Sequence, residues 1–315
     1  MPLSPYSCTN CGHWQRYFAV PPDCPICSDV RNDLPENGWE FLTPAQVLPK
    51  LTHHWREVLP GLWEFWSTPR YGLDGHGWLL THPDGNVAFE AAPLYSEAAL
   101  QKIESLGGIR TLAASHPHGY GALYQLQDHF QPDLLIQRED LQWTKAFRVT
   151  IPYDETYEIR PGLTLHHTGG HYEGHAVLYD ADRKAIFCGD ALKIDFDAQG
   201  TAQAISCHKA YHKQIPLSRG EAQRYRDIFA KLDFTSAFTP FEYATGLDTQ
   251  AALKLLDEII AGPPHTRPIP ILKKPSPSGR GLGGAGQGSA GPFGPWNAGG
   301  GEDPTTSTTA NEPKQ

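Results

Sequence analysis

Two C-x2-C pairs, Cys8-Thr-Asn-Cys11 and Cys24-Pro-Ile-Cys27, stand twelve residues apart near the start of the chain. Each pair places two thiolates on one tight turn, and two such turns close a tetrahedral shell of four sulfurs around one ion. A stretch of some thirty residues cannot build a sufficient apolar core, so the ion supplies folding energy, on the order of 10 kcal/mol in small isolated modules. Gly12 suits the first turn, and Trp14, Tyr17 and Phe18 are placed to cover the site. Zinc is expected there, ahead of iron on the same ligands or a redox dithiol, and its expected role is structural.

Six cysteines are present, four of them between positions 8 and 27, and no apolar run resembling a secretion signal precedes them. That clustering reads as metal binding in a reducing compartment, here the cytoplasm, rather than as a disulfide framework. The net charge is −9, and residues 1–50 carry three basic and five acidic side chains. Such a balance offers no field for nucleic acid, and no run of about 18 apolar residues suggests a membrane span. Small-molecule or protein partners are expected instead.

Composition divides the chain into a four-cysteine zinc knuckle over 1–35, a linker over 36–59, a main domain over 60–272 and a Gly/Pro-rich tail over 273–315. The tail cannot bury enough apolar surface to offset an ordering entropy of roughly 1–2 kcal/mol per residue, so it is expected to be disordered. Within the main domain, strands are predicted at Leu62–Ser67, His76–Thr81, Asn86–Ala91, Thr111–Ala114, Leu134–Gln137, Leu163–His167, Ala176–Tyr179 and Ala185–Cys188. Helices are predicted at Ser96–Leu106, Gly121–Phe130, Arg219–Leu232 and Thr249–Ala261, with Ser96 as an N-cap. This α/β order implies layered sheets with helices outside.

Fifteen histidines occur, and position separates a few from the rest. His116-Pro-His118 follows one predicted strand, Thr168-Gly-Gly-His171 a second, and Cys188-Gly-Asp190 a third. Three strand ends thus present three imidazoles and one carboxylate, the ligand set of a hydrolytic zinc site.

Ser115-His116-Pro-His118, Gly169-Gly-His171 with Gly174, and Phe187-Cys-Gly-Asp190 give the chain its resemblance, over about residues 60–262, to the metallo-β-lactamase fold superfamily. Together with the cysteine pairs and Ile215-Pro-Leu-Ser, they make it similar to a bacterial subgroup of that superfamily. The resemblance implies an αββα four-layer sandwich, with His116, His118 and His171 as metal ligands and Asp190 as the carboxylate that bridges or faces the metal. The superfamily's first motif reads H-x-H-x-D-H; here Tyr120 stands in the Asp place and Gly121 in the final His place. A late histidine is also missing near Thr239-Pro-Phe-Glu242. One zinc is therefore expected in this core site, with its fourth position open or filled by Asp190. In the competing reading a second ion recruits His175 or Glu242.

The expected activity is zinc-dependent hydrolysis of a small ester, thioester or lactone by metal-activated water, with Asp190 orienting the water or accepting its proton. Tyr120 either donates to a developing oxyanion or packs at a helix N-terminus. The alternative is a weakened or inactive metal-binding scaffold that recruits a protein partner through the knuckle or the tail, where Phe293 and Trp296 stand. His208 and His212 are read as cleft lining or surface, and Lys209 and Lys213 as an attraction for an anionic substrate or as solvated cations.

Overall fold

The structure is a computed structural model and describes residues 2–271, so the tail expected over 273–315 lies outside the described residues. β1 (Ser4–Cys8) and β2 (Trp14–Tyr17) pair antiparallel across the first cysteine turn, and β3 (Phe41–Leu42) joins the other side of β1. A short helix, α1 (Pro44–Val47), leads into β4 (Thr52–Leu59). Then follow β5 (Leu62–Thr68), β6 (Gly77–Leu80), β7 (Val87–Phe89), α2 (Glu97–Ser105), β8 (Thr111–Ala113), α3 (Leu123–Phe130), β9 (Asp133–Gln137) and β10 (Ile151–Tyr153). They form one sheet in the order β10-β9-β8-β7-β6-β5-β4. Its hairpin-linked pairs are antiparallel. The pairs bridged by α2 and α3 are parallel, as crossover connections require.

The second half runs β11 (Thr156–Arg160), β12 (Leu163–His167), β13 (Ala176–Asp180), β14 (Ala185–Phe187), β15 (Lys193–Phe196), β16 (Ala202–Ser206), α4 (Arg219–Phe229), β17 (Ser236–Phe238), β18 (Tyr243–Thr245), α5 (Thr249–Ala261) and β19 (Ile269–Pro270). β11-β12-β13-β14-β17-β18 make the second large sheet, and β15-β16-β19 a small one.

A period of two along the strands builds the layers. Trp78, Leu80, Val87, Phe89, Ala113 and Leu135 point from the first sheet toward Leu165, Leu178, Phe187 and Phe238 of the second. The residues between them, Leu79, Ala88, Leu112 and Leu134, face the other way and pack under α2 and α3. Val177, Ile186 and Ala237 do the same under α4 and α5. The product is helices, sheet, sheet, helices: the αββα sandwich. Ser96 caps α2, its Oγ accepting the Ala99 amide at 3.2 Å.

Residues 36–59, expected as a linker, carry β3, α1 and the edge strand β4, which pairs with β5 from Thr52 to Leu59. Polar residues dominate β4 because it lies at the sheet's edge, and this hid its strand character. The cysteine module extends through β3 and sits against the sandwich. Trp14 is buried on Tyr124, ring centroids 5.1 Å apart, and its Nε1 donates to the Pro93 carbonyl at 2.8 Å. No helix among the described residues is long and apolar enough to cross a membrane.

Candidate metal centre

All three predicted loops meet at one edge of the sheets. Beyond β8, a short 3-10 turn over Pro117–Gly119 brings the His116 and His118 rings to a centroid separation of 5.0 Å. Between β12 and β13, Gly169 and Gly170 adopt φ of 63° and 81°, which lets the chain fold tightly before His171. A Cβ at Gly170 would stand 2.6 Å from the Tyr225 hydroxyl, which donates to the Gly169 carbonyl at 2.8 Å and so clamps the loop to α4. Asp190 lies in the turn that follows β14.

Asp190 Oδ2 stands 3.3 Å from His116 Nε2, 3.3 Å from His171 Nε2 and 3.5 Å from His118 Nδ1. The four side chains are buried, and their ligand atoms lie within 4.8 Å of one another. Neither His116 Nε2 nor either ring nitrogen of His171 has a hydrogen-bond partner. Ions bound at zinc–nitrogen distances of about 2.0–2.1 Å space tetrahedral ligands about 3.3 Å apart. Buried nitrogens left without partners at that spacing are what a bound cation would satisfy, so the donor set fits a metal.

The protonation states agree. Burial pushes His116 down to about 3 and lowers His118, which keeps both rings neutral. Burial alone would raise Asp190, but the surrounding imidazoles hold it well below the usual carboxylate range. Neutral imidazoles beside a carboxylate are the ligand-competent forms. Ser115 Oγ sits 2.6 Å from His116 Nδ1, so the ring turns its Nε2 toward Asp190.

A sequence profile described as the metallo-beta-lactamase superfamily matches residues 90–234. Among solved structures, the metallo-β-lactamase-fold protein TMB-1 aligns with a TM-score of 0.50 at 11% identity, over 65% of this chain and 97% of its own. Residues 90–234 thus match the metallo-β-lactamase superfamily, and the sandwich has the metallo-β-lactamase fold. The uncharacterized protein YmaE of Bacillus subtilis (strain 168) is 25% identical over 245 residues, 75% of this chain and 88% of the relative. A hydroxyacylglutathione hydrolase of Synechococcus sp. is 28% identical over 131 residues, 38% of this chain and 49% of the relative.

The departures from the superfamily's first motif have structural counterparts. Tyr120, buried, points its ring at Phe147 and its hydroxyl toward the Asp140 carbonyl at 3.5 Å, in the core under the first sheet. Gly121 has φ of 38°, and a Cβ there would lie 2.1 Å from the Ala91 carbonyl oxygen, so no side chain fits in the final His place. His175 uses both ring nitrogens: Nδ1 is 2.6 Å from Thr168 Oγ1, and Nε2 accepts the Asp190 amide at 3.2 Å. Glu242 stands outside the four-ligand cluster, with Oε1 accepting the Ile194 amide at 3.4 Å. Burial pushes its carboxyl up to about 7, and the charge of Asp190 adds to this.

Cys8, Cys11, Cys24 and Cys27 also come together within 4.8 Å. Cys8 and Cys27 sulfurs are 3.9 Å apart, and Cys11 and Cys24 sulfurs 3.5 Å apart. A zinc–sulfur bond of about 2.3 Å gives a tetrahedral edge of about 3.8 Å, so this cluster too fits one ion.

Tyr172, Tyr211 and Glu90 were not singled out from sequence. Tyr172 places its hydroxyl 3.4 Å from His118 Nε2, and its ring packs on His116 and His171. Tyr211 covers His171 at 5.5 Å and donates to the Asp190 carbonyl at 2.8 Å. His208 stacks on Tyr211 at 4.3 Å. Glu90, the acidic break at the end of the β7 apolar run, accepts the Ser115 amide at 3.3 Å; burial pushes its carboxyl up to about 8. Lys209 and Lys213 are held by Glu221 and Asp33.

Proposed function

We propose that the chain is a zinc-dependent hydrolase of a small ester, thioester or lactone, with one ion held by His116, His118 and His171, Asp190 facing its open fourth position, and a structural zinc at Cys8, Cys11, Cys24 and Cys27. The observation that carries this reading is the convergence of three imidazole nitrogens on Asp190 Oδ2, with His116 Nε2 and His171 Nε2 otherwise unpartnered. A bound divalent ion supplies Lewis acidity toward a carbonyl oxygen and brings the pKa of water to about 7. Asp190, kept ionised, orients the attacking water and accepts its proton. Tyr172 and Tyr211 wall the cluster and exclude bulk water, which strengthens the electrostatics inside. Tyr120 takes no part in this scheme. The filled Gly121 place and the fully bonded His175 favour one ion over two. The matching hydroxyacylglutathione hydrolase, named for an acyl conjugate of glutathione, supports the acyl-transfer class.

The competing reading is a metal-stabilised scaffold with a protein partner, active in the reducing cytoplasm in either case. It draws on the cysteine module's exposed apolar residues: Phe18 and Val20 are each 62% exposed, Val30 77% and Leu34 66%. Metal analysis of the purified chain together with a panel of ester, thioester and lactone substrates separates the two. Two ions per chain with turnover on the panel supports the hydrolase; two ions without turnover leaves the scaffold, and a single ion per chain removes the hydrolase reading.

A further inference from the structure

The loop that follows the second cysteine pair runs from the cysteine cluster to the histidine site. Arg31, its side chain 9% exposed, is fixed by Asp29 through Nε to Oδ1 at 2.7 Å and Nη2 to Oδ2 at 2.9 Å. Its guanidinium carbon lies 4.0 Å from the centroid of the Tyr172 ring. Its Nη1 donates to the backbone carbonyl of His171 at 3.0 Å and to Glu173 at 3.1 Å. Asn32 Nδ2 donates to the Ile26 carbonyl, inside the second cysteine turn, at 2.9 Å and to the Tyr172 hydroxyl at 3.1 Å. That hydroxyl is the group 3.4 Å from His118 Nε2.

We propose that Arg31 is a positioning residue of the histidine site: the cysteine module holds His171 through Arg31 and His118 through Asn32 and Tyr172, and so forms a working part of that site. The proposal rests on the reading that the histidine cluster binds metal.

Two features separate this from simple docking. First, docking is carried elsewhere, by Trp14 on Pro93 and Tyr124 and by the Arg16 amide on the Lys145 carbonyl at 2.9 Å. Second, the contacts fall on the ligands themselves. His171 follows two glycines at positive φ; Tyr225 holds the loop at the Gly169 carbonyl and the His171 amide, and Arg31 holds the His171 carbonyl beyond them. A guanidinium already oriented by Asp29 donates a charge-assisted bond to the His171 carbonyl and fixes the ring's origin. The Tyr172 hydroxyl occupies the second nitrogen of His118 and leaves Nδ1 for the ion. Partners that orient ligands in this way are typically worth about 10–100-fold in metal affinity.

The experiment titrates zinc into the full chain against a chromophoric chelator, with cobalt substitution reading the cysteine cluster by its thiolate charge-transfer absorption. The parent protein must first show a second, non-thiolate ion; its absence sinks the metal reading, and the present proposal with it, before any variant is made. Given that ion, Arg31→Ala is expected to weaken it by about 10–100-fold while the cobalt–thiolate absorption stays unchanged. Arg31→Lys, which keeps a donor for the His171 carbonyl, recovers part of the affinity, and Tyr172→Phe weakens the ion with Arg31 intact. Parent affinity in Arg31→Ala overturns the proposal. So does loss of the thiolate absorption in that variant, which would make Arg31 a residue that merely folds the module.

Discussion

Asp190 Oδ2 lies 3.3 Å from His116 Nε2, and that nitrogen has no hydrogen-bond partner although the residue is fully buried. With Nδ1 paired to the Ser115 hydroxyl as donor, the tautomer a metal ligand needs, a neutral His116 would aim its Nε2 lone pair at an anionic oxygen. Such a pair repels unless a cation sits between the two atoms. The cation reading makes a direct prediction. His116→Ala should lower the metal content of the purified chain from two ions to one and reduce hydrolysis at least about 100-fold, since a Lewis-acid site is worth several kcal/mol. Elemental analysis checks it, and an unchanged content of two would mean that the histidine cluster does not hold the second ion.

Gly121 should resist restoration of the superfamily's histidine. A Cβ at this position meets the Ala91 carbonyl oxygen at 2.1 Å and the Ala92 carbonyl oxygen at 2.6 Å, on a backbone with φ of 38°. Both obstacles are main chain and cannot rotate away. Gly121→His is expected to destabilise the chain by at least about 2 kcal/mol and to bind no additional ion. Urea unfolding and metal counting test this together; a stable variant with three ions per chain would show that the second-metal place is open after all.

Asp140 makes stability depend on pH in a defined direction. Burial pushes its carboxyl up to about 7, while Gly174 donates to Oδ1 at 2.9 Å. A carboxyl raised in the fold binds its proton more tightly there than in the unfolded chain. Its contribution is full below about pH 4 and is lost as pH rises through 7. The loss approaches about 1.4 kcal/mol for each pH unit crossed. Asp140→Asn removes this dependence, so the variant should gain on the parent protein between pH 5 and pH 8. Glu90 shifts the same way but is present in both proteins, and so cancels in the difference. A stability difference that stays constant across that range contradicts the assignment.

The candidate ligands drew notice in the sequence because each stands directly after a strand whose apolar pattern is strong. Leu163–His167 and Thr249–Ala261 run in the structure as the pattern predicts, and the sandwich follows from their neighbours' period of two. Long-range geometry was not legible. Nothing near Arg31 or Asn32 marks them as companions of residues 140 positions away, for their placement depends on how the cysteine module packs against the sandwich. β4 was hidden by its polar edge. Tyr120 carries the same letter whether it faces a metal or a core, and only the surrounding Phe147 and Asp140 decide between them.

Docking of the cysteine module has its own test at Trp14. The residue is 2% exposed, packs its ring on Tyr124 and donates to the Pro93 carbonyl, so it joins the module to the layer outside the first sheet. Deleting so large a buried side chain costs about 3–5 kcal/mol, and the indole's partner carbonyl loses its donor as well. The loss falls on the joint, because the proposed ion at the four cysteines would stabilise the module internally and the sandwich keeps the rest of its apolar core. Trp14→Ala should therefore split one cooperative transition into two. The cobalt–thiolate absorption would disappear at a lower temperature than the far-ultraviolet signal of the sandwich. Coincident loss of both signals at the parent melting temperature would show that the joint does not depend on Trp14.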